Sequence, residues 1–464
     1  MIMQLNPEFC RQRWLQISAT RLILAPVVIA IVVAVLASTE PTTGAINGAA
    51  WVALLLAVLF WGTSVVGASI RDEITGRTWN QQRMSRLTPW QLTSGKLFGA
   101  TSYVWYVALL CALVAIFSES AASSSPNAHN PGIDYVSVLA LGLFAHSVAL
   151  MAPLAFQSGS GEPRVSVPSI AVFALVFVLF QAAPSGASRS TGGNVGTEWF
   201  GMSTTPQMLA MWTVLCLAAW GILGAWRAMR QALQVRQLPW ALPAFVAFMG
   251  VWAAGYAGAS DASLVLRVLI GATLALAAAS WVLMLWEPQS LFAWQRIRTH
   301  WAADDRARAI AGTSAATGTV LCAVIGALLV ALMTATTNSA EVVDAQAAGF
   351  MKTAMPNKLS LANNAGAFVW LALVLIRDFS FTLLADTFTT TLRRRSAVIL
   401  LYLLFMYLAV PGALQAVSSE GSDWWLPTSS GVVPKILALV TLLAMVGTLV
   451  LRMRRTVTAI SIKS

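Results

Sequence analysis

Three histidines and four cysteines in 464 residues leave this chain little with which to hold a metal. His129, His146 and His300 fall in different segments without ligand spacing, and Cys10, Cys111, Cys216 and Cys322 lie far apart. Neither a metal site nor a disulfide framework is indicated. Charge is scarce as well: Asp, Glu, Lys and Arg make up 10% of residues, well below a soluble domain's share, which excludes a separate soluble module. A phosphate loop is missing. Ser94-Gly95-Lys96 resembles the end of one, but GxxxxGK[ST] needs glycine at Trp90 and a hydroxyl at Leu97. Without that cradle of backbone donors the chain is expected neither to bind ATP by itself nor to be an enzyme. A membrane-embedded enzyme would need His, Asp or Glu clustered within apolar segments, and no such cluster is visible.

What is present is grease. Hydrophobic residues make up 58% of the chain. A bilayer core takes roughly 20 apolar residues as helix, and twelve runs approach or exceed that length, near 22–38, 49–69, 97–117, 134–156, 166–183, 207–226, 239–258, 264–286, 311–333, 361–376, 396–416 and 433–451. None alternates like a strand, so the fold class is an all-α integral membrane protein of about twelve transmembrane helices. A cytoplasmic N-terminus leaves only Arg189, Arg267, Lys352, Lys358 and Lys435 of the 29 Lys and Arg outside or near the outer face. The positive-inside bias therefore puts both termini in the cytoplasm of a multi-pass protein of a cell membrane. Topology and anionic lipid account for the net charge of +11, and no nucleic-acid partner need be invoked. The first run could also be a cleaved signal peptide, since Arg11, Arg13 and Arg21 precede it. Its 21-residue polar lead is long, however, and Val35 stands where a small residue belongs.

The runs divide into halves of six, residues 1–236 and 237–464. Polar connections rich in Ser, Gly, Asn, Thr and Ala occupy 118–133, 184–205 and 334–360, the last with room for a short helix at Ser339–Met355. Within the spans, His146 is either a proton relay or a neutral imidazole bonded between helices. Arg267 is expected to snorkel from span eight. Asp378 and Asp386, just after span ten, are expected to pair with Arg377 and with Arg393, Arg394 and Arg395. The tryptophans, Trp51 and Trp226 among them, read as an interfacial belt.

The stretch from Ile70 to Gly99 is the longest polar interruption in the first third of the chain, with five cations and two carboxylates. Thr88-Pro89-Trp90-Gln91 is a capping box with proline at the first helical position, so a helix starts at Pro89 and runs into span three. Before it, Asp72–Arg86 carries Ile74, Trp79 and Met84 among Arg77, Arg83 and Arg86, which predicts a moderately amphipathic helix lying at the interface, aromatic face down.

Glu73, Thr78-Trp79, Leu87-Thr88-Pro89 and Gly95-Lys96-Leu97, between the second and third spans, together resemble the signature segment of ABC-2 type permeases, the membrane subunits of ATP-binding-cassette exporters. The resemblance covers about 100 residues. It implies that residues 70–96 form a coupling loop in which Asp72, Glu73, Arg77, Thr78, Trp79, Arg83 and Arg86 meet a separate cytosolic ATPase subunit, with ATP and magnesium on that partner and no cofactor in this chain. It also implies that Asn6 and Pro7 open a connecting helix before span one, that transport is export across a bacterial inner membrane, and that a second permease copy is a further candidate partner. This sequence differs from the family pattern in separating Gly76 from Thr78 by Arg77 and in having about twelve spans where six are usual. Its second half has a loop at Glu287–Ile310 without the Thr-Pro and Gly-Lys pieces. The alternative is a twelve-helix secondary transporter of the major facilitator type, whose GxxxDRxGRR pattern fails here because Gly67 lies five residues from Asp72 and nine from Gly76.

Overall fold

The computed structural model describes residues 6–39, 43–122, 131–157, 197–235, 239–255, 264–286, 291–337, 365–386, 392–409 and 439–448. They are helical throughout, apart from connecting turns and one two-stranded ribbon. Seven helices among them are long and apolar enough to cross a membrane, eight if one bent pair counts as a span. The architecture is that of an all-α multi-pass membrane protein. The expected span at 166–183 and the short helix at 339–355 lie outside the described residues. The runs at 239–258, 396–416 and 433–451 are described only as the shorter helices Ala241–Ala254, Ala397–Tyr407 and Leu439–Thr448.

The chain groups into two compact units, Met1–Thr197 with Thr204–Gln237, and Glu198–Ser203 with Leu238–Ser464. The first contains α1 (Pro7–Gln16), α2 (Ala19–Thr39), α3 (Thr43–Leu55), α4 (Gly62–Thr75), α5 (Trp79–Met84), α6 (Pro89–Ser94), α7 (Ser102–Ala122), α8 (Pro131–Gln157) and α9 (Pro206–Ala232). A π turn at Leu56–Trp61 joins α3 to α4 into one 32-residue helix. Another at Gly95–Gly99 leads α6 into α7 with a bend of 42°. Two apolar cores hold the unit: Leu54, Val58, Leu141 and Val214 in one, and Val66, Ile70, Trp79, Leu150 and Met229 in the other.

The second unit contains α10 (Ala241–Ala254), α11 (Leu264–Trp286), α12 (Leu291–Ala302), α13 (Arg306–Ala311), α14 (Ala315–Thr337), α15 (Ala365–Ala385), α16 (Leu392–Leu404), which continues into a π turn at Phe405–Ala409, and α17 (Leu439–Thr448). Helices α10 and α11 meet in a close joint. A Cβ on Gly250 would stand 2.2 Å from the Gly271 carbonyl oxygen and 2.6 Å from Ala275 Cβ, and one on Gly271 would stand 2.4 Å from the Gly250 oxygen and 2.7 Å from Ala254 Cβ. Two small-xxx-small pairs thus interlock, because lipid tails supply no hydrophobic force between helices and backbone approach must replace it.

Two element ends differ from the sequence reading, for one reason. Span two continues to Thr75 rather than ending near 69, and span ten continues to Ala385 rather than near 376. Hydropathy stops a span at its first charges, but Arg377 with Asp378 in α15 are buried and paired inside the protein, and α4 runs past the exposed Arg71 and Asp72 to place Glu73 in a buried pair. The expected interfacial helix over Asp72–Arg86 is likewise corrected. Asp72–Thr75 is the end of α4, the chain turns at Gly76–Thr78, and α5 is six residues long. Trp79 is buried in the core of the unit instead of facing lipid. Arg267 does not snorkel to an exposed position: it is buried.

Candidate functional site

The turn after α4 is closed by two backbone bonds, with the Thr78 hydroxyl also donating to the Glu73 carbonyl at 3.3 Å. Arg77 N–H donates to the Ile74 carbonyl at 3.1 Å and Thr78 N–H to the Glu73 carbonyl at 2.9 Å, which is the double bond pattern of a Schellman cap. Arg77 takes the left-handed position, φ 58°, that glycine usually fills. The same pattern ends α9 at Gln234 and α12 at Asp304. At the far side of the segment, Thr88 Oγ1 accepts from Gln91 N–H at 3.2 Å while Gln91 Oε1 accepts from Thr88 N–H at 2.9 Å, with Pro89 opening α6.

Helix α1 begins at a side chain that does two jobs. Asn6 Oδ1 accepts from the amides of Glu8 and Phe9, while its Nδ2 donates to the Gln91 carbonyl and to Ser94 Oγ, both at 3.0 Å. The cap of α1 is therefore also its stitch to α6. The seat is made by Gly95 and Gly99. A Cβ on Gly95 would stand 2.6 Å from Glu8 Cγ and 2.9 Å from the Phe9 nitrogen, and one on Gly99 would stand 2.9 Å from Gln12 Cβ. Replacing Gly95 by leucine is expected to lift α1 off this seat at a cost of about 1–3 kcal/mol. The change should appear as faster hydrogen exchange across residues 7–16, with exchange in α8 and α9 unchanged.

What α1 delivers to the seat is charge. Glu8, Arg11 and Gln12 share one face by their i, i+3, i+4 spacing. Arg11 grips Glu8 with Nε at 2.9 Å and Nη2 at 2.8 Å, and the same Nη2 reaches Glu73 at 2.5 Å. Gln12 donates to Glu8 at 2.9 Å. Lys96, 0% exposed, places Nζ at 2.5 Å from Glu73 and 3.4 Å from Glu8. Gln82 from α5 adds a bond to Glu73 at 2.6 Å. Two carboxylates and two cations balance, so the node carries no net charge while tying α1, α4, α5 and the π turn after α6 together. Burial alone would raise the Glu8 carboxyl, but the hydrogen bond and charge of Arg11, the charge of Lys96 and the Gln12 amide outweigh it and hold it below its ordinary value. The Arg11 guanidinium is raised in turn, chiefly by its hydrogen bond to Glu8.

The residues expected to meet a partner separate into two sets. Asp72, Arg77, Thr78, Arg83 and Arg86 are exposed, and Met84 beside them is 79% exposed. Glu73 and Trp79 are buried, the first in the ionic node and the second in the core. Glu8, Arg11, Gln12 and Lys96 are partners that sequence reasoning did not assign to Glu73. The signal for them was the polar stripe on α1 and a lysine buried in an apolar run.

His146 lies elsewhere in the unit, fully buried, with Nε2 2.8 Å from the Val58 carbonyl. That carbonyl is free because the π turn sends the Gly62 amide to Ala57 instead, and Gly62 must be glycine because a Cβ there would fall 2.0 Å from the imidazole. Comparison with protein-family models, curated proteins and solved structures finds no match for this chain.

Proposed function

We propose that this chain is the membrane-spanning permease subunit of an ATP-driven transporter of the ABC-2 type, an exporter of a bacterial inner membrane with both termini in the cytoplasm. A separate cytosolic ATPase subunit, carrying ATP and magnesium, powers it, and a second permease copy is a candidate further partner. One observation carries the reading: the buried Glu73–Lys96–Glu8–Arg11 node ties α1, α4, α5 and the start of span three together, with Arg77, Met84 and Arg86 exposed on its outer side. A partner pressing on that basic surface would move α4 and α7 together, because the node transmits displacement between them. Such a push alters access only if the partner binds one arrangement better than the other.

Purification in mild detergent tests the proposal: a co-purifying ATPase is expected. Its reproducible absence, together with uptake driven by an ion gradient, would instead favour the secondary transporter. With the ATPase in hand, Arg77→Glu combined with Arg83→Glu is expected to reduce stimulated ATP hydrolysis about tenfold or more while leaving membrane insertion intact. Arg77→Gly, which preserves the left-handed turn and removes one charge, separates the backbone role from the electrostatic one. Unchanged stimulation in reconstituted vesicles would sink the coupling assignment.

A further inference from the structure

Four residues separate α12 from the end of α11, and three separate α14 from the end of α13. The first link spans at most about 18 Å, so α12 starts close to the membrane. Its middle is held there as well. Gly312 stands just before the span α14, which opens at Ala315, and a Cβ on it would lie 3.4 Å from Ile297 Cγ1. Ile297 is in the middle of α12. The helix is therefore tied at its start and its middle to the level where two spans end, and it runs along the membrane surface.

The side chains of α12 are sorted to match. By the helical repeat, Trp301 lies about 40° round the axis from half-buried Ile297, while Arg296 and Arg298 lie about 100° to either side of it. Thr299 falls on the far face. Trp301 is 59% exposed, and Arg296, Arg298 and Thr299 are exposed with it. An apolar, aromatic stripe flanked on both sides by guanidinium groups, with a hydroxyl opposite, is the order of side chains that suits a helix lying in a bilayer interface.

The nearby acids do not neutralise those flanks. At the turn after α12, Asp304 pairs with Arg306 Nε at 3.1 Å, while Asp305 caps α13 through the Arg308 amide at 3.2 Å and pairs with Arg308 Nη1 at 2.9 Å. These four charges cancel. Among the described residues no carboxylate pairs with Arg296 or Arg298. We propose that Arg296 and Arg298 bind the phosphates of anionic phospholipids and so hold α12 on the membrane surface. The guanidinium fork matches phosphate oxygens two at a time. Lipid is the occupant because exposed Trp301 shares the face of Ile297, and that face meets the foot of a span, where the bilayer lies. Because α12 and α13 join α11 to α14, the charge of the lipid acts on the second unit directly. This site is independent of the ATPase reading and would operate in either class of transporter.

Hydrogen exchange of residues 291–302 tests this, with the full-length protein in nanodiscs of phosphatidylcholine alone or of an equal mixture with phosphatidylglycerol. The wild type is expected to exchange about thirtyfold more slowly there in the anionic discs, from about fivefold for each arginine near an anionic surface. Arg296→Gln and Arg298→Gln should each lose about fivefold of that protection, and the double variant should exchange alike in both discs. Arg296→Lys with Arg298→Lys keeps the charges and should keep most of the protection. Trp301→Ser should speed exchange in both compositions, since it removes apolar anchoring and leaves the charges in place. Exchange in α14 should stay unchanged throughout. A wild-type segment indifferent to lipid charge would overturn the proposal, as would a glutamine double variant that retains the anionic protection. Protection that appears only on adding a soluble ATPase, whatever the lipid, would overturn it in favour of a protein-binding surface.

Discussion

Lys96→Met is expected to destabilise the first unit by about 3–5 kcal/mol, because it leaves the Glu8 and Glu73 carboxylates buried side by side with only Arg11 between them. Methionine fills nearly the same volume, so the loss reports charge rather than packing. Arg11, 46% exposed at its side chain, cannot compensate alone. Glu73→Gln in the same background should recover part of the loss, and the non-additivity of that cycle measures the pair directly. Thermal unfolding in detergent and hydrogen exchange over residues 7–16 are the readouts; additive effects of the two substitutions would show that the node is not a coupled unit. The pH dependence has a definite sign. Glu8 is held below its ordinary value of 4.5, so its share of the stability is fully present above 4.5 and is lost as pH falls through the lowered value. Between neutral pH and about 5 the wild-type exchange across α1 should therefore stay flat on account of Glu8.

Gly250→Val is expected to cost about 3 kcal/mol or more, at the upper end of overpacking effects, and to reduce the folded yield. The atom its Cβ would strike is the Gly271 backbone oxygen at 2.2 Å. A side chain can rotate away from an intruder, but a carbonyl in the middle of a helix moves only if the helix does. Gly48 in α3 is the control, since a Cβ there meets nothing within 4 Å; Gly48→Val should be close to neutral. Equal thermal stability of the two variants would contradict the backbone contact between α10 and α11.

These two positions also mark where reading the chain as a sequence fails. Gly250 and Gly271 are each the single glycine of their helix, yet nothing in either run by itself tells that the two touch. Lys96 was visible as half of a Gly-Lys pair, and the test for a phosphate loop removed one explanation without supplying another. Its use depends on a helix 80-odd residues earlier arriving across Gly95 and Gly99. Arg377 and Asp378 were legible as a pair, yet were placed at the edge of a span. Hydropathy averages over residues in series and has no means of knowing that Tyr402, Tyr407 and Trp281 will donate to the Asp378 carboxylate from other helices.

Composition and periodicity by themselves determined that this is an all-α membrane protein, because a chain with so little charge and so many long apolar runs can satisfy its backbone only within helices. Local sequence also determined its caps, since Asn6-Pro7 and Thr88-Pro89-Trp90-Gln91 act on amides within four residues of themselves. Tertiary structure alone decided which charges are buried and how far the spans extend. The reason is that a charge is admitted to an apolar interior by its partners, and those of Glu73 and Asp378 come from helices distant in sequence. The polar stretch from Ile70 to Gly99, a loop by hydropathy, is for that reason the end of one span, a short exposed helix, and the floor on which α1 is locked.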